Sequence, residues 1–262
     1  RNMRMLGGKV MMDRHAPEGL RDTPQQGYDE TKQVIADWHG KGRNHVVISP
    51  RFAITSTPEQ MQMAQALAQE FPDLHIQTHL SENLAEIAYA CELYPQAKDY
   101  TDIYAHFGLL GPKSLFGHCI HLSDREADAM SDSGSVAVFC PTSNLFLGSG
   151  LFGLKRLTRR DKPVRVSVAT DIGGGTSYSM LRTLDEGYKV LQLQGERLTP
   201  FESFYRMTLG NAKALGLADA IGALEVGSDA DLVVLDAGAT PASALKLEMV
   251  KTLAEELFLL QT

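Results

Sequence analysis

The chain has 262 residues, of which 44% are hydrophobic and 22% charged, and its formal net charge at pH 7 is −7. This length suits one large domain, and the acidic balance argues against a broad nucleic-acid-binding face and favours a small-molecule partner. The three cysteines form no C-x-x-C pair, and no apolar run approaches the roughly 18 residues of a membrane helix, so we expect reduced thiols, a cytoplasmic location and no membrane partner.

Short apolar segments alternate with helical patterns along the chain. Strand–helix alternation on this spacing predicts a parallel sheet with right-handed crossovers, which is an α/β fold. The predicted strands are GKVMM (8–12), HVVIS (45–49), HIQTH (75–79), SLFGHCI (114–120), SVAVFC (135–140) and VRVSVAT (164–170).

Helix-start signals stand between most of these strands. In TPEQMQMAQALAQEF, Thr57 is the predicted N-cap, Pro58 the first helical residue and Gln60 the capping-box residue. The predicted apolar face of this helix contains Met61, Ala64, Ala68 and Phe71. Further predicted signals are capping boxes at Ser123 with Glu126 and at Thr199 with Glu202, and a helix over YDETKQVIADWHGKG that ends at Gly40.

The last predicted strand helps to choose between an open doubly wound sheet and a closed barrel. In VRVSVATD, one face consists of Arg165, Ser167, Ala169 and Asp171. A small, polar face suits the lumen of a (β/α)8 TIM-type barrel better than the apolar centre of an open sheet. Asp171 would then lie at the C-terminal mouth, where barrel enzymes carry their catalytic residues.

Polar side chains follow the ends of three predicted strands. His79 ends HIQTH, His118 lies near the end of SLFGHCI, Asp171 follows the last strand, and Glu82 comes three residues after His79. We expect these side chains to share one mouth of the barrel. Imidazole nitrogen and carboxylate oxygen are the ligands of a catalytic zinc or iron, which would make hydroxide available near pH 7. Glu82 would carry protons rather than bind the metal.

Each of these residues alone has a structural explanation. A single histidine at a strand end is usually a hydrogen-bonded structural residue, and Asp171 before three glycines could form a turn. The GGG at 173–175 lacks the Lys-Ser/Thr of a phosphate-binding loop, and Cys119 fits a small buried hydrophobe better than a nucleophile. The joint placement at several strand ends is what indicates chemistry.

Several longer motifs resemble the amidohydrolase superfamily, and the resemblance covers essentially the whole chain. HLSE, GHxxHLS and TD are similar to many deaminases of that superfamily, whereas SPRF with TDIGGGTSYSM is similar to the members that act on guanine. The resemblance implies a metal-dependent hydrolase with a (β/α)8 barrel. It implies hydrolytic deamination of guanine to xanthine and ammonia, with water and guanine as substrates, one divalent metal (zinc, with iron as the alternative) and a homodimer. The motifs are GKVMMD, SPRFAITS, QTHLSEN, GHCIHLSDRE, CPTSNLFLGSG, ATDIGGGTSYSML and the tail IGALEVGSDADLVVLD.

The same resemblance implies a role for each strand-end residue. His79 resembles the metal ligand of the fifth strand, and His118 the sixth-strand histidine that contacts the attacking water or the substrate. Asp171 resembles the eighth-strand metal ligand and general base. Glu82 resembles the proton shuttle to the purine ring.

Arg51 and Phe52 match the PRF motif that contacts the base in this superfamily. An arginine offers a fork of donors suited to a purine carbonyl and N7, and a phenyl ring offers a stacking face. Together with His79, Glu82 and His118 they form the implied guanine-binding set.

One departure from the superfamily pattern concerns the metal. The family takes two further ligands from an H-x-H on its first barrel strand, and no H-x-H occurs in these 262 residues. GKVMM then matches the third strand, so we expect a C-terminal part of a barrel that lacks its first strands. Residues 1–218 would form that part, and residues 219–262 a remnant of a small β-sandwich domain with the C-terminal tail.

Two kinds of alternative function stay open. The first is another amidohydrolase-type deaminase or chlorohydrolase, acting on an amino-purine, a pterin or a triazine. The second is a catalytically silent barrel that serves as an assembly module. The joint presence of His79, Glu82, His118 and Asp171 favours an active enzyme.

Overall fold

The computed structural model describes residues 3–262. The chain forms two compact units, Arg1–Ala137 with Asp161–Val164, and Val138–Arg160 with Arg165–Thr262. Its strands are β1 Met5–Gly7, β2 Val10–Met11, β3 Asn44–Pro50, β4 His75–Leu80, β5 Ser114–His118, β6 Val136–Phe139, which spans the boundary, and β7 Arg165–Val168.

Helices follow most of the strands in both units. The first unit contains α1 Pro24–Trp38, α2 Pro58–Glu70, α3 Leu84–Leu93, α4 Tyr100–His106 and α5 Asp124–Ser133, with 3-10 turns at Glu18–Leu20 and Ala53–Thr55. The second contains α6 Pro141–Leu147, α7 Leu154–Thr158, α8 Met180–Leu193, α9 Pro200–Tyr205, a π-helical turn at Arg206–Gly210, α10 Asn211–Ala214, α11 Pro241–Leu247 and α12 Leu253–Gln261.

The strands of the first unit pair in parallel. β1 and β2 both pair with β3, β3 pairs with β4, and β4 with β5, where Leu80 lies opposite His118. The predicted strand 8–12 is therefore two short pieces, and it begins earlier, at Met5. Gly8 stands at the break, where a Cβ would lie 1.9 Å from the Val47 carbonyl oxygen. The parallel β4–β5 register sets the C-terminal ends of these two strands side by side.

The predicted strands are all present, but β5 and β7 end two residues earlier than predicted. β5 ends at His118 because His118 and Cys119 adopt φ angles of 75° and 53°, which a strand does not accommodate. β7 ends at Val168, so Asp171 belongs to the following loop and is not the last inward residue of the strand.

Helix α2 departs from its predicted capping and burial. Thr57 Oγ1 accepts from the backbone N–H of Gln60, but the Thr57 N–H donates to Asp13 Oδ1 at 2.8 Å. The capping box with Gln60 was therefore a wrong prediction, because a carboxylate from the preceding loop takes the N-cap donor. Of the predicted apolar face, Met61 and Ala64 are fully buried, whereas Ala68 and Phe71 are only half-buried. Gln60 and Leu67 complete the buried face instead.

The other predicted helix signals are confirmed. Capping boxes form at Ser123 with Glu126 and at Thr199 with Glu202. Helix α1 starts at Pro24, four residues before the predicted segment, and Gly40 follows its C-cap with a φ of 73°.

The second unit is built around β7 and the helices next to it. The Ala169 N–H donates to the Phe139 carbonyl oxygen at 3.0 Å, and the Asn211 side chain bonds both backbone groups of Val168. Residues 215–240 form neither helix nor strand, and Val226 and Val234 are fully exposed within them. The assignment of residues 219–262 to a small β domain stays a prediction.

Among residues 3–262, no helix is long and apolar enough to span a membrane.

Candidate active site

Two histidines stand at the adjacent ends of β4 and β5. His79 lies opposite Gly117 in the parallel register, and His118 lies opposite Leu80. Their ring centroids are 5.3 Å apart at an interplanar angle of 30°. His118 is buried, whereas His79 is half-buried. The strand pairing thus brings together two of the residues predicted to share one site.

Glu82 is held beside these histidines by the start of α3. The Glu86 carboxylate accepts from the backbone N–H groups of Glu82 (2.8 Å) and Asn83 (3.1 Å), and Asn83 Oδ1 accepts from the Glu86 N–H (2.9 Å). This capping box was not predicted, and it fixes the backbone at Glu82. Glu82 Oε2 lies 3.6 Å from His118 Nε2. The carboxylate and the imidazole therefore face each other at the strand ends.

The His79 ring is oriented by a backbone carbonyl. His79 Nδ1 lies 2.7 Å from the Arg51 carbonyl oxygen. Because a carbonyl only accepts, Nδ1 carries the proton, and Nε2 is left with a lone pair. Metal-bound histidines are held in the same way, by donating their other ring N–H to a carbonyl or carboxylate. The donor set at His79 therefore fits a metal ligand.

The Arg51–Phe52 segment continues from the end of β3. The Arg51 side chain is exposed, and the Phe52 ring centroid lies 5.9 Å from that of His79. Arg14 donates from Nη2 to the Ala53 carbonyl oxygen (2.8 Å) and from Nε to that of Ile54 (3.0 Å). The structure thus brings Arg51, Phe52, His79, Glu82 and His118 together in the first unit.

Backbone strain accompanies these strand ends. Ser81, His118, Cys119 and Asp171 have φ angles of 51°, 75°, 53° and 48°. Such conformations cost non-glycine residues about 1–3 kcal/mol each, and they cluster at active sites and ligand clamps. Their location at the end of β5 and within three residues after β4, β5 and β7 is a second, independent indication of function at these strand ends.

Asp171 lies in the second unit, in a loop shaped by the three glycines that follow it. A Cβ on Gly175 would lie 1.9 Å from the Thr170 carbonyl oxygen, so only glycine fits. A Cβ on Gly174 would lie 3.1 Å from Asp171 Oδ2 and 2.7 Å from Ser143 Oγ. Ser143 Oγ is buried and has no hydrogen-bond partner within the described part of the chain. The glycines therefore give the Asp171 carboxylate its tight loop.

Some residues that organise the site were missed by sequence reasoning. Arg14 lies in a loop, and Tyr104 lies within α4, where its hydroxyl donates to the His79 carbonyl oxygen at 2.7 Å. Arg14 follows the end of β2 by three residues and could have been found by the signal used for the other residues, whereas Tyr104 follows no strand end. A tyrosine on the buried face of a helix between two site strands would have been the only available clue.

The family of the chain follows from comparison with known proteins. A sequence model described as "Amidohydrolase family" matches residues 1–257, and the chain belongs to that family. The resemblance drawn from the motifs is thereby confirmed, as is the fold class of parallel strands and helices from a TIM-type barrel. The family is metal-dependent.

Individual relatives narrow the comparison. The guanine deaminase of Escherichia coli (strain K12) is 51% identical over 261 residues, which are 100% of this chain and 59% of that protein. The solved structure of E. coli guanine deaminase matches with a TM-score of 0.97 and covers 60% of that chain. A guanine deaminase from C. acetobutylicum, with guanine bound in its active site, is 29% identical at a TM-score of 0.85, over 96% of this chain and 59% of its own. The chain thus spans somewhat over half the length of these relatives.

Proposed function

We propose that the protein containing this chain hydrolyses guanine to xanthine and ammonia. The observation that carries the proposal is the assembly of Arg51, Phe52, His79, Glu82 and His118 at neighbouring strand ends. The similarity to guanine deaminases along the whole chain supports the same reaction. In it, a water oxygen adds to C2 of guanine, and the exocyclic amine leaves as ammonia.

We infer that His79 and Asp171 hold one divalent metal, zinc in the first instance, with iron as the alternative. The free lone pair of His79 Nε2 and the oxygen of a carboxylate suit either ion. When bound, such an ion would lower the pKa of a water ligand to about 7. The assignment of Asp171 as a metal ligand rests on the family match.

The protein residues would divide the remaining work. Asp171 accepts the proton of the attacking water, and Glu82 transfers protons to the purine ring. His118 contacts the water or the substrate, and the Glu82 carboxylate 3.6 Å away supports its orientation. Arg51 donates to the purine carbonyl and N7, and Phe52 stacks on the ring.

A substrate panel tests the proposal. Ammonia release by the purified, metal-loaded protein is measured with guanine, adenine, adenosine, an amino-pterin and an amino-triazine. We expect the highest kcat/KM with guanine by at least about 100-fold, because a site built to bond a polar group rejects analogues that lack it. A higher kcat/KM with another compound of the panel would mean that this compound, and not guanine, is the substrate. Inactivity on the whole panel would favour a catalytically silent barrel.

The homodimer, the cytoplasmic location and the remnant of a small β domain in residues 219–262 are further proposals. The structure gives one reason for the proposed small β domain. The segment LVVLD (232–236) has the β-branched composition of a strand but is exposed, with Val234 at 95% of full accessibility. Such a segment would bury its side chains by pairing with other strands.

A further inference from the structure

The hydroxyl group of Tyr104 connects two parts of the candidate site. The residue is fully buried in α4, and its hydroxyl donates to the His79 carbonyl oxygen at 2.7 Å. The Tyr104 hydroxyl oxygen itself accepts from the Ala53 N–H at 3.1 Å. Ala53 directly follows Phe52, so one hydroxyl joins the segment proposed to contact the base to the residue proposed to hold the metal.

A second junction lies next to the first. The Arg51 carbonyl oxygen accepts from the backbone N–H of His79 (3.2 Å) and from His79 Nδ1 (2.7 Å). Thr78 Oγ1 lies within hydrogen-bond distance of both junctions, 3.1 Å from the Arg51 carbonyl oxygen and 3.2 Å from the Tyr104 hydroxyl. These contacts form one connected network between the end of β3 and the end of β4.

The surroundings of Tyr104 keep its hydroxyl in place. Its ring stacks on that of Tyr100 with centroids 5.7 Å apart and packs against Phe116 of β5 at 5.3 Å. Burial raises the pKa of Tyr104 far above its usual value, so the hydroxyl keeps the proton that it donates. A hydroxyl fixed in this way can transmit a displacement of one strand end to the other.

We propose that Tyr104 is a positioning residue that holds the Arg51–Phe52 segment and the metal-ligand ring of His79 in one fixed relation. The inference deepens the proposed function and rests on it for the roles of those residues. Removing the hydroxyl leaves the buried Ala53 N–H without its acceptor and the His79 carbonyl without its donor. Both segments should then loosen together.

The test compares Tyr104→Phe with Tyr28→Phe in the natural protein that contains this chain. Tyr28 lies in α1, is half-buried, and its hydroxyl donates to Glu70 Oε2 at 2.6 Å, so Tyr28→Phe makes the same chemical change outside the network and is the control. The readouts are zinc affinity by chelator competition, hydrogen exchange of the peptide covering residues 51–57, and KM and kcat for guanine. The first two do not depend on the substrate.

For Tyr104→Phe we expect zinc affinity to fall about 10–100-fold, the usual cost of losing an outer-shell partner. We expect faster exchange in residues 51–57 and a raised KM for guanine in the same variant, with all three near parental values in Tyr28→Phe. Unchanged zinc affinity and exchange would overturn the proposal, as would a change in only one of the two or an equal change in the control.

Two further arms keep the outcome unambiguous. If Tyr104→Phe does not fold, Thr78→Val removes the neighbouring hydroxyl at nearly constant volume and must shift zinc affinity and exchange in the same direction, or the proposal fails. If the parent protein does not turn over guanine, the proposed function fails, while zinc affinity and exchange still decide the role of Tyr104.

Discussion

Two charged side chains, Glu82 and Arg51, carry the functional argument at the scale of single residues. Glu82 faces His118 across 3.6 Å and has its backbone fixed by the start of α3. Arg51 is exposed at the end of β3, next to the Phe52 ring, and its carbonyl orients His79. Each residue therefore carries its functional group on a backbone that hydrogen bonds fix, which allows the group to be changed while the backbone stays in place.

Glu82→Gln tests the proton-transfer role. The amide has nearly the shape of the carboxylate but cannot take up and release a proton at neutral pH. We expect kcat for guanine to fall about 10²–10⁴-fold, the contribution of a positioned acid–base group, with zinc per chain unchanged. Glu92→Gln, an exposed glutamate of α3, is the control and should keep full activity. Full activity of Glu82→Gln would remove this residue from the mechanism.

Arg51→Lys tests base recognition. Lysine keeps the charge but loses the planar fork of donors. We expect kcat/KM for guanine to fall about 10–100-fold, since hydrogen bonds to charged groups contribute about 1.5–3 kcal/mol, while zinc content stays constant. The exposed Arg21→Lys serves as the control. If guanine kinetics in Arg51→Lys equal those of the parent, Arg51 has no part in substrate binding.

Among the elements, α3 has the most direct effect on the site, because hydrogen bonds at its N-terminus fix the backbone of Glu82. Glu86 caps this helix and is itself buried. Burial raises the pKa of the Glu86 carboxyl above its usual 4.5. This effect is larger than that of the backbone N–H groups of Asn83 and Glu82, which lower the same pKa. A carboxyl with a raised pKa in the fold loses its proton more readily in the unfolded chain. Its ionisation therefore destabilises the fold as the pH rises above about 4.5, and the loss levels off above the folded-state pKa.

Glu86→Gln should remove that pH dependence. The amide oxygen can accept the two N–H groups that Glu86 Oε2 accepts, and it does not titrate. We expect the melting temperature of the variant, relative to the parent, to improve as the pH rises from 4.5 toward 7.5 and to level off once the pH passes the folded-state pKa of Glu86. Thermal unfolding at four pH values in that range, with Glu92→Gln alongside, measures it. A difference between variant and parent that is constant with pH would contradict the assigned pKa shift.

The strands and helices also show which features of the fold can be predicted from the sequence. Strand positions follow from short apolar runs, and His79 and His118 follow from their position at strand ends. The broken strand at Gly8 and the bond from Thr57 to Asp13 depend on contacts between segments far apart in sequence, which no local pattern reveals. Tyr104 was missed for the same reason, since its function comes from the strands that α4 covers.

On the scale of the whole molecule, the chain is a stretch of amidohydrolase fold that aligns with somewhat over half of each relative compared above. Its first unit contains Arg51, Phe52, His79, Glu82 and His118, and its second unit contains Asp171. Its family and fold class are recognisable from motifs alone, whereas the roles of these residues are proposals that the substitutions above test.

The most direct measurement is xanthine formation from guanine by the natural protein that contains this chain, before and after metal removal. The account predicts steady xanthine and ammonia production in equal amounts, loss of both after chelation, and recovery on adding zinc or iron. His79→Ala should lose the activity and resist recovery, because its ring nitrogen is the proposed ligand. Xanthine formation that survives complete metal removal, or a metal-loaded protein that leaves guanine unchanged, would contradict the account.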